Sequence, residues 1–311
     1  MPQFSDFTFP SCNGKTNIHV RRCVPDGKVR AVMQLAHGIA EHVERYDEFA
    51  AFLAENGVAV FANDHLGHGA SLAQPEDLGF FAENGGWELV VGDMRRLHEI
   101  IKREYPDLPC FIFGHSMGSF LTRTYLIRYP GGLDGAVICG TGHQASAVVA
   151  SGRALCRLEI ERHGARHPGK RLNDVAFGAY NRGFEPLRTT HDWLTRDEKT
   201  VDAYLADEKC GFIPTAGLFR DMMDGIAFVE RERSIKRMDK ALPVLFISGA
   251  EDPVGEHGRG VMRAYSAFVK SGMQNCTLKL YTGGRHEILN ETNRAEVFRD
   301  VLDWLNAEMR A

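Results

Sequence analysis

The segment CFIFGHSMGSFL, residues 110–121, places a serine at the tip of a Gly-x-Ser-x-Gly turn. An apolar run precedes this turn, and the helical pattern MGSFLTRTYLIR follows it. Strand, sharp turn and helix in this order are typical of a nucleophile elbow, in which Gly114 and Gly118 let the strand and the helix pass close together. The motif alone is a weak signal in a chain with 32 glycines. Its flanking pattern nevertheless predicts that the turn presents Ser116 as a nucleophile.

The rest of the chain alternates short apolar runs with amphipathic helical patterns. Eight runs are candidate strands: FTFPS, IHVRRCV, AVMQLAH, VAVFAND, CFIFGH, GAVICGT, PVLFISG and CTLKLYT. Two helical faces stand out, over residues 46–53 and 297–309. Such alternation is typical of α/β proteins, in which helices cover both faces of a mostly parallel sheet. The sequence therefore predicts the α/β class, with a mostly parallel eight-stranded sheet flanked by helices.

The alternation stops after the sixth run. Residues 143–240 lack strand-like runs, which predicts a mainly helical insertion, and residues 1–142 and 241–311 then form the core. The insertion carries more apolar and aromatic side chains than a polar loop needs, and we expect some of them to line a cavity for an apolar substrate. These side chains are Phe177, Tyr180, Phe184, Trp193, Tyr204, Phe212, Phe219, Met222, Met223, Ile226 and Phe228.

A serine hydroxyl needs a neighbouring base, which a carboxylate in turn orients. Where a nucleophile elbow carries the serine, the acid and the histidine follow it in the chain, after later strands. Asp252 follows the seventh run in PVLFISGAEDPV, and His286 follows the eighth in CTLKLYTGGRHEI. Glu251 is the alternative acid, but the proline after Asp252 gives that residue the more defined backbone. The predicted catalytic residues are Ser116, Asp252 and His286.

Two backbone N–H groups are expected to hold the oxyanion that forms during acyl transfer. Met117, directly after the nucleophile, supplies one of them. The loop after the third strand, in QLAHGIAEHVERY, supplies the other, which we assign to Ile39. The neighbouring residues His37, Gly38 and His115 are expected at the substrate-binding site, with His37 mainly bonding the loop backbone.

The segment NDHLGHG, residues 63–69, adds His65 and His68 to a histidine-rich region. His-x-x-His in a glycine-rich turn lacks the helical spacing and the adjacent glutamate of a zinc protease site. We therefore expect no metal and interpret the segment as a hydrogen-bonded loop that supports the rim of the site. The glycines form no dinucleotide-binding or phosphate-binding pattern, so we expect no cofactor and exclude an oxidoreductase or a kinase.

Charge and composition limit the partners and the location. A net charge of -4 leaves no basic footprint for nucleic acid. The seven cysteines are scattered without a Cys-x-x-Cys pair, so neither a disulfide framework nor a zinc ribbon is expected. The amino terminus lacks a signal-peptide pattern, and no apolar run reaches the roughly 18 residues of a membrane span. We expect a cytoplasmic protein, and the sequence leaves its oligomeric state open.

A basic stretch, GRALCRLEIERHGARHPGKRLND, lies within the predicted insertion. We interpret it as a solvated helix face, because charged runs on amphipathic helices usually face water. Contact with an acidic membrane surface or with an anionic substrate is the alternative.

Five segments, HGIAEHVERY, FANDHLGHGAS, FGHSMGSF, SGAEDPVG and GGRHEILNE, resemble the α/β-hydrolases of the monoacylglycerol lipase and lysophospholipase group, in the same order. All five lie in the predicted core. The resemblance implies an α/β-hydrolase fold with a helical cap built from the insertion and an apolar acyl channel. It also implies hydrolysis of acyl esters, such as monoacylglycerols or lysophospholipids, through an acyl-serine intermediate.

Three other functions would use the same residues or the same fold. A serine aminopeptidase would need an acidic pocket for the substrate ammonium, and Glu185 and Asp192 are candidates for it. An acyltransferase would differ only in accepting an alcohol in place of water. A non-catalytic binding protein needs no complete set of serine, acid and histidine, so the presence of all three favours an enzyme.

Overall fold

An eight-stranded sheet with helices on both faces forms the body of the protein in the computed structural model, which describes residues 1–310. The strands are β1 Gln3–Pro10, β2 Asn17–Val24, β3 Ala31–Ala36, β4 Val58–Asn63, β5 Cys110–His115, β6 Gly135–Cys139, β7 Val244–Gly249 and β8 Cys276–Tyr281. The helices are α1 Asp47–Glu55, α2 Gly86–Glu104, α3 Met117–Arg128, α4 Ser146–His163, α5 Lys170–Phe177, α6 Glu198–Ala206, α7 Ala216–Val229, α8 Glu232–Ile235, α9 Arg259–Lys270 and α10 Arg294–Glu308.

The strands lie in the order β1-β2-β4-β3-β5-β6-β7-β8. Strand β2 is antiparallel to both of its neighbours, and every pair from β4 to β8 is parallel. The strand order reverses at β3, because β4 lies on one side of it and β5 on the other. Ligands bind outside the carboxyl ends of parallel strands at such a reversal. The predicted mostly parallel eight-stranded sheet is confirmed, and its topology directs attention to the loops after β3 and β5.

Helices cover the sheet in two layers. Helices α1 and α10 bury Phe49, Leu53 and Val301 in the cluster on one face, and α2, α3 and α9 bury residues such as Leu121 and Phe268 in the cluster on the other. Because both faces are covered, the central strands β3 to β7 are buried at every position and read as continuous apolar runs. The two helical faces predicted from the sequence are those of α1 and α10.

The segment between β6 and β7 contains the five helices α4 to α8, which confirms the predicted mainly helical insertion. Helix α7 is anchored in the body of the protein, because Leu218, Ile226 and Val229 belong to the core cluster that α2 and α3 share. Helices α4, α5 and α7 also form a smaller cluster of their own around Leu172 and Phe219. The division of core and cap at residues 143 and 240 stays a prediction.

The basic stretch of the insertion lies on and between α4 and α5. Four of its Lys and Arg side chains pair with acidic side chains, which agrees with a solvated helix face. The pairs are Arg153–Asp224, Arg166–Asp77, Arg166–Glu83, Lys170–Asp174 and Arg171–Glu159. Across residues 1–310, no helix combines the length and the apolarity that crossing a bilayer requires.

Candidate active site

The turn between β5 and α3 holds Ser116 at a positive backbone φ of 52° with ψ of -120°. A non-glycine residue in such a conformation costs about 1–3 kcal/mol, so its surroundings must hold it. The Ser116 N–H donates to the Cys139 carbonyl at 3.0 Å, and Ser119 Oγ donates to the Ser116 carbonyl at 2.6 Å. A Cβ on Gly114 would lie 2.3 Å from the Gly118 carbonyl oxygen, so strand and helix meet at backbone contact. The turn has the geometry of a nucleophile elbow.

Asp252 and His286 form a buried hydrogen-bonded pair in the loops after β7 and β8. The His286 Nδ1 lies 3.0 Å from each carboxylate oxygen of Asp252. The carboxylate also accepts hydrogen bonds from Ser248 Oγ at 3.1 Å and from the Val254 N–H at 2.9 Å. Because Nδ1 is bound to Asp252, Nε2 is the ring nitrogen available to Ser116. This is the arrangement that a serine nucleophile requires of its base.

The alternative acid, Glu251, lies away from this pair. Its side chain is exposed, and its carboxylate lies 3.7 Å from His257. The Glu251 N–H donates to the Gly284 carbonyl at 2.9 Å, so its backbone belongs to the turn that carries Asp252. The structure therefore brings Asp252, the acid preferred from the sequence, to His286.

The protonation states of the pair follow from burial and mutual attraction. Burial alone would raise the pKa of Asp252, but the charge of His286 and the hydrogen bonds outweigh it and hold that pKa below its usual range. Burial alone would lower the pKa of His286, but the Asp252 carboxylate outweighs it and raises that pKa above its ordinary 6.5. Each group stabilises the charged form of the other. The pair is therefore suited to hold a proton taken from a nucleophile.

Ser116 and His286 line one cavity together with Ile39 and Met117. Within residues 1–310 the Ile39 N–H donates to no protein group, and Met117 begins α3, where an N–H has no intrahelical acceptor. Gly38 brings the loop after β3 against Ser116, because a Cβ on Gly38 would lie 3.1 Å from the Ser116 Cβ. Two N–H groups beside a nucleophile can hold an oxyanion.

The residues predicted at the substrate site fall in two environments. Gly38 and His115 are among the residues that line the cavity, and the structure places His37 outside that lining. The His37 Nε2 accepts the His65 N–H at 2.9 Å, so Nδ1 donates to the Gly38 carbonyl at 2.7 Å. Burial lowers the pKa of both His37 and His115 to about 4, which leaves both rings neutral. His37 thus bonds the loop backbone, as the sequence suggested.

The NDHLGHG segment forms a hydrogen-bonded loop behind the site. Its Asp64 carboxylate accepts the Val43 N–H at 3.0 Å and the Ala70 N–H at 2.9 Å, and it lies 2.9 Å from His19 Nδ1. The ring centroids of His37 and His65 are 4.2 Å apart. These contacts agree with a loop that supports the segment after β3.

One group of three possible metal ligands occurs within residues 1–310, and it lies outside the predicted histidine segment. His42, Asp207 and Cys210 have ligand atoms within 4.8 Å of one another. His42 Nε2 already pairs with an Asp207 carboxylate oxygen at 2.8 Å. Burial raises the pKa of the Cys210 thiol, which opposes its use as a thiolate ligand. Hydrogen bonding and burial account for this group.

The cavity beside Ser116 has a volume of about 1120 Å³, slightly above the roughly 300–1,000 Å³ that is usual for ligand sites. Residues of the helical insertion form most of its wall, with apolar side chains from α4, α5 and α7 among them. The sequence offered eleven apolar side chains as candidates for a cavity wall. Nine of them line this cavity: Phe177, Tyr180, Trp193, Tyr204, Phe212, Phe219, Met222, Met223 and Ile226. The other two lie beneath arginines, Phe184 under Arg285 and Phe228 under Arg128.

The mouth of the cavity carries exposed apolar side chains. Val148, Val175 and Leu187 line the cavity and are also 56%, 68% and 51% exposed. Side chains that contact both a cavity and the solvent mark its opening. The opening therefore lies on the helical insertion.

Sequence reasoning missed a buried ionic network beside the site. Arg45 donates to both carboxylate oxygens of Glu287 and to one of Glu41, each at 2.6 Å. The other Glu41 oxygen accepts the Gly38 N–H at 2.6 Å. Arg45 and Glu287 lie 242 residues apart in the chain, in the segments HVERY and RHEI, which share no pattern that would pair them. The one available signal was the position of Glu287 directly after His286.

Comparison with known proteins assigns the chain to a family. The model of the family described as serine aminopeptidase, S33, matches residues 27–293. A monoacylglycerol lipase of Mycolicibacterium smegmatis is 32% identical over 288 residues, which cover 90% of each chain. The monoglyceride lipase of Homo sapiens is 28% identical over 289 residues, which cover 91% of this chain and 84% of the human one.

Solved structures agree with this assignment. A thermostable carboxyl esterase from Bacillus coagulans, in complex with glycerol, superimposes with a TM-score of 0.91 at 29% identity, over 98% of this chain and 99% of that one. A soluble variant of the Saccharomyces cerevisiae monoglyceride lipase superimposes with a TM-score of 0.75 at 19% identity, which shows the shared fold. The chain therefore belongs to the serine aminopeptidase S33 family, has the α/β-hydrolase fold, and is a serine hydrolase.

Proposed function

We propose that this enzyme hydrolyses carboxylic esters of long apolar acids and a small alcohol, with monoacylglycerols as the main substrate class. The observation that carries the proposal is the large, mostly apolar cavity that contains both Ser116 and the His286 ring. An acyl chain gains about 25 cal/mol per Å² of apolar surface that leaves water. A cavity of this kind therefore favours a lipid-like ester over a polar one.

The proposed reaction begins with the transfer of a proton from the Ser116 hydroxyl to His286 Nε2. The serine oxygen forms a bond to the ester carbonyl carbon. The carbonyl oxygen then becomes negatively charged and accepts hydrogen bonds from the Ile39 and Met117 N–H groups. The bond to the alcohol oxygen then breaks, and His286 gives its proton to that oxygen. Asp252 stabilises the charged His286 ring throughout.

The acyl-serine is then hydrolysed by the same route. His286 takes a proton from water, the water oxygen bonds to the acyl carbon, and the bond to the serine oxygen breaks as His286 returns the proton to it. The fatty acid leaves, and the enzyme is restored. Every step uses protein groups and water.

The relatives support the choice of alcohol. Proteins named monoacylglycerol lipase or monoglyceride lipase match most of this chain, and the similar carboxyl esterase structure contains glycerol. A lysophospholipase activity has weaker support, because the relative named probable lysophospholipase L2 matches 44% of this chain. We therefore place glycerol esters before lysophospholipids.

The acidic groups of the cavity argue against an aminopeptidase. Four carboxylates line it, and each is paired: Glu41 and Glu287 with Arg45, Asp174 with Lys170, and Glu256 with Arg263. The acids suggested from the sequence for an ammonium pocket, Glu185 and Asp192, are not among the lining residues. A substrate ammonium would therefore find no free carboxylate among the described lining residues, whereas an ester needs none.

The proposal also includes peripheral contact with a lipid surface. The exposed apolar residues at the mouth, Val148, Val175 and Leu187, can enter the headgroup region of a lipid aggregate and direct a monoacylglycerol into the cavity. Sedimentation with neutral and anionic vesicles tests this contact, and Val175→Asp should weaken it. Equal sedimentation of Val175→Asp and the native protein would contradict it. The cytoplasmic location expected from the sequence remains part of the proposal.

The test of the proposed function compares substrate classes on the purified protein. The initial hydrolysis rate is measured on monoacylglycerols and p-nitrophenyl esters of increasing acyl length, and on aminoacyl p-nitroanilides. We expect ester turnover with a maximum at medium or long acyl chains, and loss of that turnover in Ser116→Ala. Turnover of the anilides alone would transfer the protein to the peptidases and contradict the proposal.

A further inference from the structure

A buried ionic network joins the two loops on which the proposed chemistry depends. Arg45 donates to the two Glu287 oxygens and to Glu41 Oε2, each at 2.6 Å. The three side chains are 10%, 5% and 4% exposed. Glu287 follows His286 directly, and Glu41 belongs to the loop of the oxyanion donor Ile39. The network thus runs from one side of the reacting centre to the other.

The Glu41 end of the network is bound to the backbone of the oxyanion loop. Glu41 Oε1 accepts the Gly38 N–H at 2.6 Å and the Tyr46 hydroxyl at 2.8 Å. The Gly38 N–H is thereby occupied, and the neighbouring Ile39 N–H is left as the donor for the oxyanion. A Cβ on Gly38 would lie 2.5 Å from Glu41 Oε1, so the carboxylate and this peptide are in direct contact. The carboxylate therefore fixes the peptide that precedes the Ile39 N–H.

We propose that Arg45 is a positioning residue, which sets the Ile39 N–H and the His286 ring relative to one another through Glu41 and Glu287. This inference rests on the proposed function, because it concerns the same oxyanion and the same base. Arg45 itself touches neither the reacting atoms nor the substrate in this account. A displacement of about 1 Å in a reacting group is enough to cost about 100-fold in rate.

The charges of the network also act on His286. Arg45 overcomes the effect of burial and lowers the pKa of Glu287 to about 2, so this carboxylate is ionised. Two carboxylates around one guanidinium leave a net negative charge beside the ring. Burial lowers the pKa of His286, and Asp252 raises it. The charges of Glu287 and Glu41 raise it further. The network thus favours the protonated ring that forms when Ser116 attacks.

The helical insertion closes the network from the outside. The Tyr204 ring lies 4.8 Å from the Arg45 guanidinium, and its hydroxyl donates to the Ala40 carbonyl at 3.0 Å. The Glu287 N–H donates to the Leu194 carbonyl at 2.7 Å. These contacts pack against the network, and a buried bidentate arginine–carboxylate pair holds its geometry more strictly than an exposed one.

The test uses Arg45→Lys, which keeps the charge but loses the bidentate fork. The matched control is Arg21→Lys, because Arg21 makes a bidentate pair with Asp47 through two bonds of 2.7 Å, and neither residue lines the cavity. Two rates are measured for each folded variant: ester turnover, as kcat and KM separately, and phosphonylation of Ser116 by a fluorophosphonate. The second rate does not depend on the choice of substrate.

We expect Arg45→Lys to lose about 10- to 100-fold in kcat and in the phosphonylation rate, with KM changed less than about threefold. The Arg21→Lys control should keep both rates. Glu287→Gln removes a negative charge and should move the acidic limb of kcat/KM to lower pH, whereas Arg45→Lys should leave that limb in place. If Arg45 had a purely structural role, activity would fall without the selective loss in kcat and without the shift of the acidic limb in Glu287→Gln.

Three results would overturn the inference. Arg45→Lys could keep native kcat and phosphonylation, its loss could fall entirely in KM, or Glu287→Gln could leave the pH profile unmoved. A native enzyme that reacts with the phosphonate but turns over no ester would show that the proposed substrate is wrong, while the phosphonylation rates would still decide the role of Arg45. A native enzyme that does not react with the phosphonate would refute both.

Discussion

Gly118 in the first turn of α3 lies against Ala36 at the end of β3, so closely that a Cβ on Gly118 would be 2.1 Å from the Ala36 carbonyl oxygen. The same Cβ would be 2.6 Å from the His37 carbonyl oxygen. The turn that carries Ser116 and the loop that carries Ile39 therefore meet backbone to backbone. This contact determines how near Ile39 lies to Ser116.

The contact predicts the effect of Gly118→Ala. Backbone carbonyls cannot give way as a side chain does, so the added methyl must push α3 away from β3. We expect the free energy of unfolding to fall by about 1–3 kcal/mol. Ester turnover should fall by more than the loss of folded protein explains. Thermal unfolding and initial rates check this. Gly131→Ala is the control for replacing a glycine without a steric clash. Gly131 has open space around it, and its φ is 90°. Native activity in Gly118→Ala would contradict the account.

The buried pair predicts different roles for two neighbouring acids. Asp252→Asn should lower kcat by about 10⁴-fold, because an amide neither stabilises the charged His286 ring nor keeps its tautomer. Glu251→Gln should keep kcat within about twofold, since exposed substitutions away from special features have small effects. The two variants are compared at one pH on one ester. A severe loss in Glu251→Gln with a mild one in Asp252→Asn would reverse the assignment.

The pH profile of kcat/KM follows from the state of His286. The ring must be neutral to accept the Ser116 proton, so activity is lost as pH falls through its pKa. Because Asp252 raises that pKa above the ordinary 6.5, the acidic limb should have its midpoint above 6.5. Initial rates between about pH 5 and 8 measure this midpoint, because histidine changes its charge in that range. A midpoint well below 6.5 would show that the pair is not coupled as described.

The cavity wall predicts a change in acyl preference. Met223 lines the cavity from α7, and Met223→Trp should fill part of it, because tryptophan is larger and stiffer. We expect turnover of long-chain esters to fall about tenfold relative to short-chain esters. Met262→Trp is the control, because Met262 is 46% exposed on α9 and is not among the lining residues. An unchanged ratio of long to short substrates would place the acyl chain elsewhere.

Much of the fold could be predicted from the sequence, because burial on both faces makes parallel strands continuous apolar runs. The apolar run of β5 and the glycines after it predicted that the turn presents Ser116. The positions of Asp252 and His286 after later strands predicted that the two side chains meet at one edge of the sheet. In each case a local pattern and a known strand direction were sufficient.

The parts that could not be predicted depend on long-range packing. The pairing of Arg45 with Glu287 joins segments that share no local pattern. In the sequence, each of these charged side chains alone is typical of a residue that faces solvent. The apolar face of α7 was visible, but nothing in its periodicity showed that Leu218 and Val229 enter the main core while Phe219 faces the cavity. Such choices depend on which surfaces the tertiary fold brings together.

The most direct test of the central claim is the release of fatty acid from a long-chain monoacylglycerol by the native enzyme and by Ser116→Ala, with circular dichroism to show that both are folded. The account predicts turnover by the native enzyme and a loss of at least about 10³-fold in the variant. Near-native turnover by folded Ser116→Ala would contradict it.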